Sequence, residues 1–220
     1  MELTMHDGTV RDLVFLSEEG RSGGPFLLSG GAGDCRIHLT DCRTGTSIQS
    51  YSGHAGHVYA LYDAGGSIFV SGSQDKTVRL WDVRSSTCIA LVQSPPPGSA
   101  AAAVSVDASG QLLAVGQEDG ACVLWDIRAG GRGLVQAFRP HASDIRSARF
   151  TAQALYLLTA SYDKRIILTD LHGDLTQPLP SVVVGQHDDK IIQTRWHPSQ
   201  LAFVSTSADK QAVCWALPNS

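Results

Sequence analysis

The chain of 220 residues is 43% hydrophobic, enough to build one large domain or two small ones. Its 17 Lys and Arg stand against 21 Asp and Glu, a net charge of −4 with no long run of one sign, which argues against a nucleic-acid binder. No stretch reaches the ~18 apolar residues of a membrane span, and MELTMHDGTV lacks the basic and apolar regions of a secretory signal.

In chain order, five units carry the same marks. The first, 5–53, has His6 four residues before Val10, then Asp34 six residues before Thr40 in GDCRIHLTD. The second, 54–93, has His54 before Val58 and Asp75 before Trp81 in SGSQDKTVRLWDVR. The third, 99–139, lacks the histidine but keeps Asp119 and Trp125 in EDGACVLWDIR. The fourth, 140–185, pairs His141 with Ile145 and Asp163 with Thr169; the fifth, 186–216, pairs His187 with Ile191 and Asp209 with Trp215. The five aspartates step by 41, 44, 44 and 46 residues. Two independent marks held in register identify a repeat architecture.

Each unit reads as four strands. One run follows the histidine (VYALY), a second ends in Ser and Gly (IFVSGS), a third ends at Trp-Asp (TVRLWD) and a short fourth leads onward (CIALV). The runs are rich in β-branched residues and divided by Gly, Ser, Asp and Pro, and none holds a helical period. SPPPGSAAAA at 94–103 is a low-complexity insert whose Pro run reads as a stiff exposed loop. ELTM near the start reads as a strand that closes the last unit.

A histidine before the first strand, serine on the second, aspartate in the next turn and tryptophan on the third resemble the WD-repeat family. The resemblance covers nearly the whole chain. It implies an all-β fold, a single WD-repeat β-propeller over 1–220 with five four-stranded blades, and further blades making a ring of seven. It also implies a structural tetrad in which indole, hydroxyl, imidazole and carboxylate are hydrogen-bonded. Two units supply every member: His54, Ser71 or Ser73, Asp75 and Trp81, and His187, Ser205 or Ser207, Asp209 and Trp215. Ser71 and Ser207 are taken as the bridging hydroxyls. Thr40 and Thr169 interrupt the first and fourth sets, and Val115 and Gln117 replace the serines of the third.

Ser, His and Asp together suggest a hydrolase triad. Their repetition from unit to unit assigns them to structure, so no catalytic residue, cofactor or metal site is expected. GRSGG at 20–24 matches G-x-S-x-G around Ser22 without a following helix, and GGAG at 30–33 has no strand–helix context. His38 and His197 read as isolated packed or surface histidines. The five cysteines, odd in number and without a CxxC, suit thiols in a reducing compartment.

The register brings the residues just before each Val or Ile, and those just before each turn aspartate, to one face. Among them His57, Gln74, Tyr162 and Lys190 have the chemistry of a protein-binding patch. The resemblance implies a non-catalytic, cytoplasmic interaction scaffold. Stretches such as HASDIRSARF and VVVGQHDDKIIQTRW resemble a neuronal member of the family that interacts with microtubule-associated proteins. That implies protein partners among microtubule-associated or other cytoskeletal regulators, with no nucleic acid, membrane or small-molecule substrate. LWDVR and LWDIR also look like the WDxR box by which substrate receptors dock on a cullin–RING ubiquitin ligase, the alternative function.

Overall fold

The computed structural model describes residues 2–16, 25–93, 98–129 and 133–217. They divide into two compact units, Met1–Ala101 and Ala102–Ser220. In the first, one sheet joins β1 (Val10–Phe15), β2 (Phe26–Gly31), β3 (Ile37–Asp41) and β4 (Thr46–Tyr51). The second sheet joins β5 (Val58–Gly65), β6 (Ile68–Ser73), β7 (Thr77–Asp82) and β8 (Cys88–Gln93). The other unit holds the third sheet, β9 (Ala101–Val106), β10 (Leu112–Gln117), β11 (Cys122–Asp126) and β12 (Gly133–Phe138). It also holds the fourth sheet, β13 (Ile145–Phe150), β14 (Tyr156–Ser161), β15 (Arg165–Asp170) and β16 (Ser181–Gln186). Last come β17 (Ile191–Trp196), β18 (Ala202–Ser207) and β19 (Ala212–Ala216), a three-stranded sheet among the described residues.

Every sheet is an antiparallel meander whose spatial order follows the chain. The second strands β2, β6, β10 and β14 are buried almost end to end. Continuous burial means that both faces are covered, which explains apolar runs without alternation such as FLL and YLL. The fourth strands alternate or stay exposed, as in Thr46–Tyr51 and Ser181–Gln186.

Aromatic packing fixes the second sheet. Phe69 lies parallel to Trp81 at 6.1 Å and meets the edge of Tyr51 at 4.9 Å. The last sheet repeats the arrangement with Phe203 stacked on Trp215 at 6.1 Å and edge-on to Trp196 at 5.5 Å. Polar bonds join neighbouring sheets within each unit. Leu61 N–H donates to Asp12 Oδ2 at 2.8 Å, and Thr194 Oγ1 donates to Ser147 Oγ at 2.8 Å.

One expectation needs correction. Glu2–Met5 forms no strand. Met5 is held instead beside the first sheet, where Thr40 Oγ1 donates to its Sδ at 3.1 Å. Thr40 is much smaller than the tryptophan at the matching position, and the methionine packs against it. The Pro run expected as an exposed loop lies at 94–97, outside the described residues, and beyond it Ala101–Ala103 open the fully buried strand β9. Small side chains suit that close approach, since a Cβ built on Gly116 would sit 3.3 Å from the Ala103 methyl.

The stacked pairs carry a large share of local packing. Phe69→Ala or Phe203→Ala should each destabilise the chain by about 3–5 kcal/mol through lost burial and an unfilled cavity. The shift of the urea unfolding midpoint measures it, and a loss under about 1 kcal/mol would contradict this packing role.

Candidate functional site

The turn after each second strand sets the local geometry. The residue following the turn aspartate has positive φ in every sheet: Cys35 at 54°, Lys76 at 68°, Gly120 at 86°, Lys164 at 74° and Lys210 at 70°. This left-handed step turns the aspartate back toward the loop before the first strand. Gly120 is the one glycine among them, and a Cβ there would also collide with the His141 carbonyl.

In the second sheet His54 Nε2 lies 2.7 Å from Ser71 Oγ and His54 Nδ1 lies 2.9 Å from Asp75 Oδ2. Trp81 Nε1–H donates to Ser71 Oγ at 2.8 Å. Asp75 also accepts from Ala55 N–H at 3.0 Å and Thr77 N–H at 2.9 Å, so one carboxylate ties the loop to the turn. Ser73 stands one rung further out, where its Oγ accepts from Asp75 N–H at 3.1 Å.

The last sheet has the same arrangement through Ser205, not Ser207. His187 Nε2 and Trp215 Nε1 both lie 2.7 Å from Ser205 Oγ, and His187 Nδ1 lies 2.7 Å from Asp209. Ser207 instead donates to Asp189 O at 3.0 Å and accepts from Asp209 N–H at 3.2 Å. Both serines point to one side of the strand. Trp215, however, lies opposite Phe203, so Ser205 is its diagonal neighbour and Ser207 is out of reach.

Loss of the tryptophan leaves the other three members in place. His141 bridges Thr159 Oγ1 at 2.9 Å and Asp163 at 2.9 Å, while Thr169 turns to Ser181 at 3.0 Å. His6 bridges Ser29 at 2.8 Å and Asp34 at 3.0 Å. His38, read as isolated, joins them at 3.3 Å from Asp34 Oδ2, whereas His197 Nδ1 accepts from Ser199 N–H in a surface turn. In the third sheet an arginine replaces the missing histidine: Arg139 Nη2 donates to Asp119 Oδ2 at 2.6 Å and Nη1 to the Asp119 carbonyl.

These sets have the members of a catalytic triad but not its accessibility. Ser71 and Ser205 are fully buried and already hold indole protons, so no substrate reaches them as nucleophiles. Ser22 lies outside the described residues. Cys122 is fully buried, and burial pushes its thiol up to about 12, a protonated, unreactive sulfur.

The surface residues named from sequence fall into a group in each unit. Gln74 N–H donates to His57 O at 2.9 Å, which sets the turn beside the loop. His57 meets the Tyr59 ring edge at 6.2 Å, and the Arg11 guanidinium lies 5.9 Å from the same ring. In the other unit Tyr162 is flanked by Lys190 at 5.1 Å and Arg146 at 5.5 Å. The sequence reading missed Arg11, Tyr59 and Arg146. All three sit where the ladder of a first strand skips a residue, between Val10 and Asp12, Val58 and Ala60, and Ile145 and Ser147. Such bulges re-aim one side chain. The signal was available: each is the residue immediately after the Val or Ile that follows the histidine.

Residues 45–82 and 132–170 match the family profile described as WD domain, G-beta repeat. The chain is 45% identical over 58 residues to cell division control protein 4 of Saccharomyces cerevisiae, covering 26% of this chain and 7% of that protein. It is 39% identical over 69 residues to a U3 snoRNP-associated protein-like protein of Arabidopsis thaliana, 31% of this chain and 14% of that one. It is 37% identical over 57 residues to the serine-threonine kinase receptor-associated protein of Homo sapiens, 26% and 16% respectively. The chain thus spans a small part of the length of these relatives. The matches support a WD-repeat family and, with the sheet meanders, an all-β WD-repeat β-propeller fold.

Two measurements test the network. Ser205→Ala strands a half-buried indole and a buried imidazole and should cost about 1–3 kcal/mol, while Ser207→Ala, at a half-exposed turn, should cost less. Equal shifts of the denaturation midpoint would return the bridging role to Ser207. Acid should act in two stages. Burial, outweighing the pull of Asp163, holds His141 below the ordinary histidine value, so the unfolded chain takes up that proton first as pH falls through about 6.5. Burial alone would raise Asp75 and Asp163, but hydrogen bonds hold both below the usual carboxylate range, so a second loss begins near pH 4. The melting temperature should therefore fall from pH 7 to 5 and again below 4; a rise across the first interval would refute the assignment of His141.

Proposed function

We propose that this chain is a non-catalytic scaffold that binds proteins through the cation–aromatic groups at its strand-entry loops. The observation that carries this reading is Tyr162 set between Lys190 and Arg146, repeated in kind by Tyr59 with Arg11 and His57. These residues occupy bulges and loop ends outside the buried networks. An aromatic ring flanked by cations suits a partner segment carrying carboxylates beside an apolar or aromatic side chain. That chemistry differs from the repeated His–hydroxyl–Asp sets, which serve the sheets themselves.

For the partner class, HDGTVRDLVF, LTASYDKRI, DLHGDLTQPLP and the threonines in TDC and TDL resemble the C-terminal propeller of nemitin, a neuronal WD-repeat protein named for its interaction with microtubule-associated proteins. This supports microtubule-associated proteins or other cytoskeletal regulators as partners, and a cytoplasmic, cytoskeleton-associated location. Affinity capture from neuronal lysate tests it. Microtubule-associated proteins should be recovered by the wild type, and Tyr162→Ala with Lys190→Glu should lower recovery several-fold while leaving the melting temperature unchanged. No recovery by the wild type would refute the partner class, and undiminished recovery by the variant would refute the site.

A second reading rests on a separate observation. Arg84 and Arg128, each exposed, chelate the aspartate two residues before them, with Nη2–Oδ2 distances of 2.7 Å to Asp82 and 2.6 Å to Asp126. Two arginines fixed alike in LWDVR and LWDIR suit docking on a ligase adaptor. Recovery of such an adaptor, lost in Arg84→Ala with Arg128→Ala, would favour this reading over the cytoskeletal one. In either case a fluorophosphonate probe should label no serine, Ser22 included; labelling would overturn the non-catalytic reading.

A further inference from the structure

We propose that His6, Asp34 and His38 form a binding site for a zinc ion. His6 precedes β1, Asp34 lies in the turn between β2 and β3, and His38 is on β3, all within the first sheet. One donor atom from each lies within 4.8 Å of the others, and His6 Nδ1 and His38 Nε2 share the same carboxylate oxygen at 3.0 and 3.3 Å. A tetrahedral zinc ion with nitrogen and oxygen ligands at about 2.1 Å sets its ligands about 3.4 Å apart. Closing onto an ion therefore needs only small side-chain movements. Two imidazoles and one carboxylate suit a borderline divalent ion and leave a fourth position for water.

Three features favour an ion at this cluster, and the second imidazole separates it from its counterparts. The first is the second imidazole. The residue four places after the turn aspartate is Arg79, Val123, Ile167 or Val213 in the other sheets, and only here is it histidine. The second, open also to the fourth sheet with Thr169, is the tautomer that Thr40 permits. In the second sheet Trp81 donates its indole proton to Ser71, whose own proton then goes to His54 Nε2, leaving Nδ1–H for Asp75. With no indole at Thr40, Ser29 Oγ is able to accept from His6 Nε2–H, and the Nδ1 lone pair then faces the carboxylate. Two acceptors face to face call for a cation between them.

The third feature is the outer shell. Each ligand is braced at its other polar atom: His6 Nε2 by Ser29 Oγ at 2.8 Å, Asp34 Oδ1 by Arg36 N–H at 3.2 Å and His38 Nδ1 by Ser47 Oγ at 3.4 Å. Such partners orient ligands and hold affinity. The side chains are only 4%, 9% and 12% exposed, so little water competes for the donors. Gly31 makes the approach feasible, because a Cβ there would collide with both His6 and Asp34.

The test uses the full chain, free of any affinity tag and stripped with a chelator. Calorimetry should show one equivalent of Zn2+ bound, with a raised melting temperature. His38→Val, the residue at the matching place in two other sheets, should weaken binding about tenfold or more while the metal-free melting temperature stays the same. Zn2+ should shift the imidazole nitrogen NMR signals of His6 and His38, but not those of exposed His172, a readout that needs no variant to fold. Co2+ should give a visible spectrum of nitrogen and oxygen ligation. Absence of binding, an affinity unchanged by His38→Val, unshifted signals of the two histidines, or a thiolate charge-transfer band would each overturn the site.

Discussion

The His–hydroxyl–Asp hydrogen-bond set is the interaction on which four of the five described sheets depend. A sheet covered on both faces brings the polar backbone of its loop and turn close to dry surroundings, where an unmet N–H or C=O is costly. The histidine spans the gap, with Nε2 on a hydroxyl of the second strand and Nδ1 on the turn aspartate. The aspartate then takes the N–H of the residue after the histidine, as with Ala55, Ala142 and Asp188 at 3.0–3.2 Å. Loop, second strand and turn become one hydrogen-bonded body, and the left-handed step after the aspartate is the conformational cost of making it. Three of those steps are taken by lysine, although glycine adopts them with less strain.

The sheets that depart from the full set show which members matter most. The first and fourth lose the indole and keep the contacts among the other three members, so the tryptophan reinforces the set without being required for it. The third loses the histidine and holds its aspartate by Arg139, a pair whose side chains are 59% and 37% exposed. A pair so open to water contributes about 0–1 kcal/mol, less than a set of buried bonds. The third sheet offsets this with β9, in which every residue is buried.

Much of this was legible in the sequence because aspartate and histidine do one job at one spacing. The rest was hidden for specific geometric reasons. Ser205 and Ser207 share a face, and sequence alone does not reveal which is diagonal to Trp215; that depends on the ladder register. Ser29 lies five residues before its aspartate instead of four, because the turn through Ala32 and Gly33 is one residue longer. Arg139 follows its aspartate by 20 residues, whereas each histidine precedes its own, so a search for the missing histidine looked on the wrong side. His38 looked solitary because its partners lie 4 residues away in the turn and 32 residues back, on either side of a strand.

The same repetition indicates where binding information resides. A residue that recurs in each unit is committed to holding that unit, and its chemistry is occupied there. The bulge in a first strand is also repeated, but its residue varies: arginine at Arg11 and Arg146, Tyr59 and Ile192 share one backbone device across three side-chain chemistries. A bulge turns a side chain out of the ladder without asking it to pack, so its identity is free to vary at little cost to the sheet. The loop residues beside it, such as His57 and Lys190, are constrained mainly through their carbonyls, which accept from Gln74 and Ala208 N–H at 2.9 Å. Backbone bonds fix these positions while leaving the side chains open to selection by a partner. A scaffold gains recognition from this division: recurrent polar sets hold the loops, and the residues those loops present differ from unit to unit.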